Sequence, residues 1–507
     1  MLSTKELAVK CEQVRRQTEM LVDRVKEAAS RERPLHELER DLFDRLLKMG
    51  WQLIEMFISL QGDGDLGESI QTPDERTLHR SEQTKTRRLR TLFGEHRFQQ
   101  YAYSAGKGKA IELRPTDARM QLPVGVCSYM LEEFSQLFCV EQAFDLARGN
   151  IKTVFGQSVP VDTLENVNRR MAEATEEFFE SRPVPAAADE GELTVITADG
   201  KGVPMVVEQT RNLLPFEDPP QRPGNRKMAT LGAVYTVDAY VRSPEQILAA
   251  LFREESDDPP GPRPVPCGKQ VRAEFTTFDP QAEMVIPGPF PIMNWLCEQA
   301  RQRDPDGTRP LIRLLDGQQS LRETGDVFLD ASQSQRLVDI LDILHVAGYV
   351  WKAAHLFHAS GSAAAEAFVR HRLLRILRGE AASVIRGLRR MATDRGLAGD
   401  KKKTLTRVCG YLQKNRERMR YGEYLAAGYP IATGVIEGAC RHLVKDRMER
   451  SGMRWTLPGA RAMLQVRSIF VNGDWNSYQT FRIAAEQKKL HPLRSLVSKT
   501  CKSTLNA

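Results

Sequence analysis

The sequence predicts an α/β protein whose mixed-sheet core is interrupted by an all-helical insertion and preceded by a mainly helical region. Apolar runs that read as buried strands, LTVITADG, TLGAVYTVDAYV and RPLIRLLDG, fall between residues 192 and 319. Residues 320–430 are almost wholly helical in pattern, dominated by Leu, Ala, Arg and Ile. Leu, Glu, Arg and Lys recur at helical spacing near the start, as in LHELERDLFDRLLKMGWQLIEMF. A length of 507 residues suits three or four domains at about 150 residues each.

Taken in order, residues 1–80 form a helical region that ends in a Gly/Asp-rich break and suits oligomerisation or DNA-end binding. Residues 81–181 begin with KTRRLRTLFGEHRFQQYAYSAG, a small hairpin around Gly94 with a basic approach at Arg87, Arg88 and Arg90. Two helical patterns follow around a Gly- and Pro-containing turn, with Asp162 or Thr163 as the cap. A helix-turn-helix would present Asn166, Arg169 and Arg170 to DNA from the second helix, and a generic helical hairpin has the same pattern. The Pro-rich, acidic run SRPVPAAADEGE reads as a linker. The sheet core opens at 192–319, the helical insertion occupies 320–430, and 431–507 returns to the core with its final helices and a basic tail.

Charge is unevenly spread. Residues 401–507 hold 21 Lys or Arg against 7 Asp or Glu, a balance of +14, so the +7 of the whole chain leaves −7 for the first 400 residues. Concentrated positive charge is what a phosphate-binding surface requires, and a solvated helix face has it too. The eight cysteines show no CxxC pair or metal-type spacing, which points away from a disulfide framework and towards a reducing, cytoplasmic compartment. No apolar run reaches the ~18 residues of a membrane span, and MLSTKELAVKCEQ lacks a signal-peptide centre. No GxxxxGK[ST] phosphate loop is present, so no nucleotide cofactor is expected.

Three carboxylates stand out against this background. Asp199 and Asp316 each end an apolar run and precede a glycine that lets the backbone turn away, and Glu437 opens the helical pattern GVIEGACRHLVKDR. Two strand-end aspartates and a helix-borne glutamate are what an RNase H-like fold needs to hold two divalent metals about 3.5–4 Å apart. The 121 residues between Asp316 and Glu437 are too many for one crossover, which makes the intervening helices an insertion. Glu437, Arg441 and Lys445 form an i, i+4, i+8 stripe opposite Ile436, Cys440 and Leu443. Either this is a salt-bridged surface helix, or Glu437 holds metal while Arg441, Lys445 and Arg447 grip phosphates. Asp342 and His345, three apart on one helix face, read as a packed histidine with a local hydrogen bond. Trp455, beside Arg454 in a basic loop, is either a core residue or a platform for an unpaired base.

The strings TADGKGVPM, LLDGQQSL, DILHVAGYVWKAA and GVIEGACRHLVKDRMERSGMRW together resemble the bacterial insertion-sequence transposases of the ISKra-four type, within the Asp-Asp-Glu superfamily. The resemblance spans roughly residues 85–475. It implies an RNase H-like fold, Asp199, Asp316 and Glu437 as catalytic and metal-binding carboxylates, and Asp342 and His345 as a supporting Asp-x-x-His element. Two Mg²⁺ or Mn²⁺ ions are the implied cofactors. The implied partners are double-stranded element ends and target DNA, handled by a dimer or larger homo-oligomer in the bacterial cytoplasm, nucleoid-associated when bound. The DNA-contacting set expected from both readings is Arg169, Arg170, Arg441, Lys445, Arg447, Arg454 and Trp455. Relatives often carry paired cysteines near the hairpin, and YAYSAGKGKA has none. Two other functions use the same features: DNA binding without cleavage, and a metal-dependent nuclease that does not join strands.

Overall fold

A computed structural model of the chain describes residues 4–206, 226–254 and 261–498. These fall into two units, Met1–Glu180 with Trp475–Ala507, and Ser181–Asp474.

The first unit opens with helices α1 (Thr4–Ser30) and α2 (Leu35–Leu60), pinned together by Arg24 on Asp41 at 3.3 Å. Pro34 breaks the chain between them and starts α2, where its missing N–H costs nothing. Beyond the Gly/Asp-rich break lie four short antiparallel strands and the hairpin β1 (Lys85–Thr91) and β2 (Gly94–Gln100). The expected basic approach is already engaged within the unit. Arg88, Arg90 and Arg97 converge on Glu95, and Arg87 donates to the carbonyls of Pro123 and Gly125.

Helices α3 (Tyr129–Glu141), α4 (Phe144–Phe155) and α5 (Val161–Ala172) follow. Pro160 caps α5, in place of Asp162 or Thr163. The buried face of α5 includes Leu164, Val167 and Met171, and Asn168 donates to Gln136, which donates back to the Leu164 carbonyl. Arg170 also turns inward, onto the buried Glu132. The same carboxylate accepts from Arg482, at 3.1 Å, on the C-terminal helix Trp475–Leu490. The final part of the basic tail therefore belongs to the first unit, and the second unit ends at Asp474.

The second unit is built on five strands: β3 (Leu193–Pro204), β4 (Arg226–Val237), β5 (Cys267–Phe275), β6 (Leu311–Leu315) and β7 (Leu337–Leu341). Their order is β7-β6-β3-β4-β5. β6 runs parallel to both β3 and β7, whereas β4 and β5 are antiparallel, so the sheet is mixed. Side chains alternate between its faces. Ile196, Ala198, Leu311 and Leu315 meet α6 (Pro289–Arg303) on one face. Val195, Ile312, Leu314 and Ile340 face α8 (Ile343–Phe357) and the helices beyond on the other. α7 (Gln319–Phe328) lies between β6 and β7 in the chain.

Residues 320–430 are thus not wholly helical, because β7 interrupts them as a core strand. Its central Asp339 is a polar residue amid apolar ones, and it is matched by Arg313 of β6, directly opposite in register and 2.9 Å away. The helical block proper comprises α9 (Ala363–Leu377), α10 (Ala381–Asp394) and α11 (Gly399–Lys414). The chain then passes through α12 (Gly434–Ala439), a π-helical turn (Cys440–Lys445) and α13 (Leu457–Val471). Among the described residues no helix is long and apolar enough to cross a membrane.

Candidate functional site

Three aspartates fall on the continuation of one row of the sheet. Thr194 of β3 pairs with Leu311 of β6, which pairs with Leu337 of β7. Asp199, Asp316 and Asp342 each lie five residues further along, at 194, 311 and 337 plus five. The two-residue side-chain period puts all three on the face covered by α8, at the carboxyl edge of the parallel strands, where ligands bind in open α/β sheets.

Asp316 follows β6 directly, as the sequence predicts. Asp199 does not end its strand: β3 continues to Pro204 and Asp199 pairs with Leu231 of β4. Gly200 therefore makes no turn. Gly317 lies at the bend where the chain leaves β6, and a Cβ there would also collide with the Tyr411 ring. Arg418, only 5% exposed, donates to the carbonyls of Leu315, Asp316 and Ile340 at 3.3–3.4 Å, tying together the ends of β6 and β7.

Asp342 is fully buried and caps α8, accepting from the N–H groups of Leu344 and His345. It also accepts from Thr433 N–H at 3.2 Å, which anchors the segment leading into α12. His345 Nδ1 donates to Asp342 at 2.8 Å, and its Nε2 stands 4.0 Å from Asp316. Glu437 projects from α12, and one residue beyond that helix the buried Cys440 directs its thiol at Asp199, Sγ to Oδ2 3.6 Å. The π-helical turn starts at Cys440, an irregularity common at functional sites.

The electrostatics fit a site short of positive charge. Burial raises the Asp199 pKa, and the Asp316 charge raises it further. Burial raises that of Glu437, reinforced by Asp342 and Asp199. His345 is held above the ordinary histidine value by its hydrogen bond to Asp342, with Asp316 and Asp199 adding to the effect. Carboxylate oxygens are hard donors of the kind Mg²⁺ and Mn²⁺ take. Among the described residues no group of three His, Cys, Asp or Glu side chains is gathered to hold an ion. Mg²⁺ usually takes one or two carboxylates together with waters and substrate phosphates, so binding does not require a closed protein cage.

Asp199 thus feels the charge of Asp316, Glu437 feels those of Asp199 and Asp342, and His345 those of all three aspartates. Arg441, Lys445 and Arg454 are exposed in the same unit. Three expected DNA contacts are corrected. Arg447 is fully buried and lies 4.9 Å over the Trp455 ring, while the Trp455 indole donates to the Met448 carbonyl. A guanidinium and an indole engaged in the interior have no face to offer a nucleic acid. Arg170 is corrected on a different ground, its guanidinium being turned onto the buried Glu132, whereas the partly exposed Arg169 pairs with Glu165 at 3.2 Å on its own helix.

Sequence reasoning missed Arg418, for which no local pattern exists, and Thr433, whose role is played by its backbone. No protein-family model and no curated protein matches the chain.

Proposed function

We propose that the chain is a DNA transposase with an RNase H-like core, which cuts element ends and joins them to target DNA. The observation that carries this reading is the place of Asp199 and Asp316 on the continuation of one sheet row, with Glu437 brought to the same edge by a separate helix. Asp199, Asp316 and Glu437 are the carboxylates that would hold two Mg²⁺ or Mn²⁺ ions. When bound, such ions supply Lewis acidity and lower the pKa of water. The protein groups divide the remaining work. Asp342 fixes the imidazole of His345 beside Asp316, and the exposed Arg441, Lys445 and Arg454 hold phosphates of the strand being processed. In-line attack by water and then by the freed 3′-hydroxyl needs no covalent protein intermediate. A dimer or larger homo-oligomer on double-stranded DNA suits the symmetric processing of two ends.

The test is Asp316→Asn on labelled element ends in Mg²⁺ and Mn²⁺. Cleavage should vanish while end binding in EDTA persists, and a variant that cuts normally sinks the assignment. Wild type that binds without nicking would instead identify a non-cleaving DNA-binding protein. Nicking without strand transfer to a plasmid would identify a nuclease.

A further inference from the structure

The solvent face of α11 carries a row of cations. Lys403, Arg407 and Lys414, all exposed, lie with Gly410 within about 60° around the axis at ~100° per residue. The three span about 16 Å at 1.5 Å per residue, or roughly five base steps of one DNA strand. Leu405, Val408, Cys409 and Leu412 on the opposite face are buried. Gly410 adds no bulk between Arg407 and Lys414, because a Cβ there would meet nothing within 4 Å.

A solvated helix face accounts for cations, but not for where this row ends. Lys414 donates to the side chain of Gln319, three residues past Asp316, and the Tyr411 ring on the same last turn covers Gly317. The row therefore starts at the loop that presents Asp316 and runs outward. Its charge is also largely uncompensated. Among the described residues Arg407 meets the Thr404 hydroxyl and no carboxylate, and the neighbouring Lys401 and Lys402 pair with no acid. Lys403 has Asp400 at 3.3 Å, an exposed pair that holds it weakly.

We propose that the α11 row is a track for the DNA backbone, gripping phosphates of the duplex that flanks the scissile bond irrespective of base sequence. This rests on the carboxylate reading for which duplex is held, and adds to it the course that duplex takes over the helical block.

The experiment uses the full chain, in EDTA, with a fluorescent duplex of mixed sequence and anisotropy read between about 50 and 200 mM salt. Neutralising one cation that grips a phosphate should lower the slope of log K against log salt by about 0.9. Arg407→Gln should therefore lower it by about 0.9, and Lys403→Gln, Arg407→Gln and Lys414→Gln together by roughly 2.7. Should the triple variant melt early, the single variant carries the test. An unchanged slope in a folded variant overturns the track. The slope in EDTA reports on the track alone and cleavage by Asp316→Asn in Mg²⁺ on the catalytic reading alone, so the two failures give different results.

Discussion

His345 donates from Nδ1 to the buried carboxylate of Asp342 at 2.8 Å, and this holds its Nε2 4.0 Å from Asp316. A carboxylate only accepts, so the bond sets the tautomer of the neutral imidazole. The two residues have separable roles. Asp342→Ala removes the cap of α8 and orphans Thr433 N–H, and should cost about 2 kcal/mol in chemical denaturation. His345→Ala, at a half-exposed side chain, should cost under about 0.5 kcal/mol while slowing metal-dependent cleavage. Equal destabilisation by both would remove the distinction.

Trp455 should behave as a core residue. Its ring packs against Arg447, and its backbone bridges to Met205 at the end of β3. Trp455→Ala should lower unfolding free energy by about 3–5 kcal/mol. Trp455→Phe should leave DNA affinity unchanged in anisotropy titrations, whereas a tenfold loss in that folded variant would restore the base-stacking role.

In the first unit, Glu132 is the buried anion between Arg170 and Arg482. Glu132→Ala leaves the buried Arg482 and the partly exposed Arg170 with Glu486 as their remaining carboxylate, and should cost about 3 kcal/mol. Urea titration measures this directly. A cost below about 1 kcal/mol would mean that water reaches the cluster.

Glu95 predicts an acid-sensitive hairpin. Hydrogen bonds from Arg88, Arg90 and Arg97 lower its pKa from 4.5 to about 2. A depressed folded pKa adds stability that is fully present above about 4.5 and is lost as pH falls towards 2. Glu95→Gln should flatten this part of the acid limb. Carboxyl NMR showing Glu95 titrating near its ordinary value would contradict the network.

The core strands β3 and β6 are legible in the sequence because strands covered on both faces read as unbroken apolar runs. β7 is not, because five residues with a central aspartate sit between helical patterns and the partner of that aspartate, Arg313, is 26 residues away. The string around Arg447 and Trp455 reads as a basic surface because a linear sequence does not reveal that a guanidinium lies over an indole in the interior.

By itself the sequence determined which groups are the candidates for chemistry: Asp199, Asp316 and Glu437, with Asp342 and His345, since residue type and local pattern are properties of short segments. Only the tertiary structure decided that the three aspartates fall on the continuation of one row, that Arg418 ties two strand ends together, and which cations face solvent. Register and burial arise from pairing between segments distant along the chain, and no local pattern encodes them.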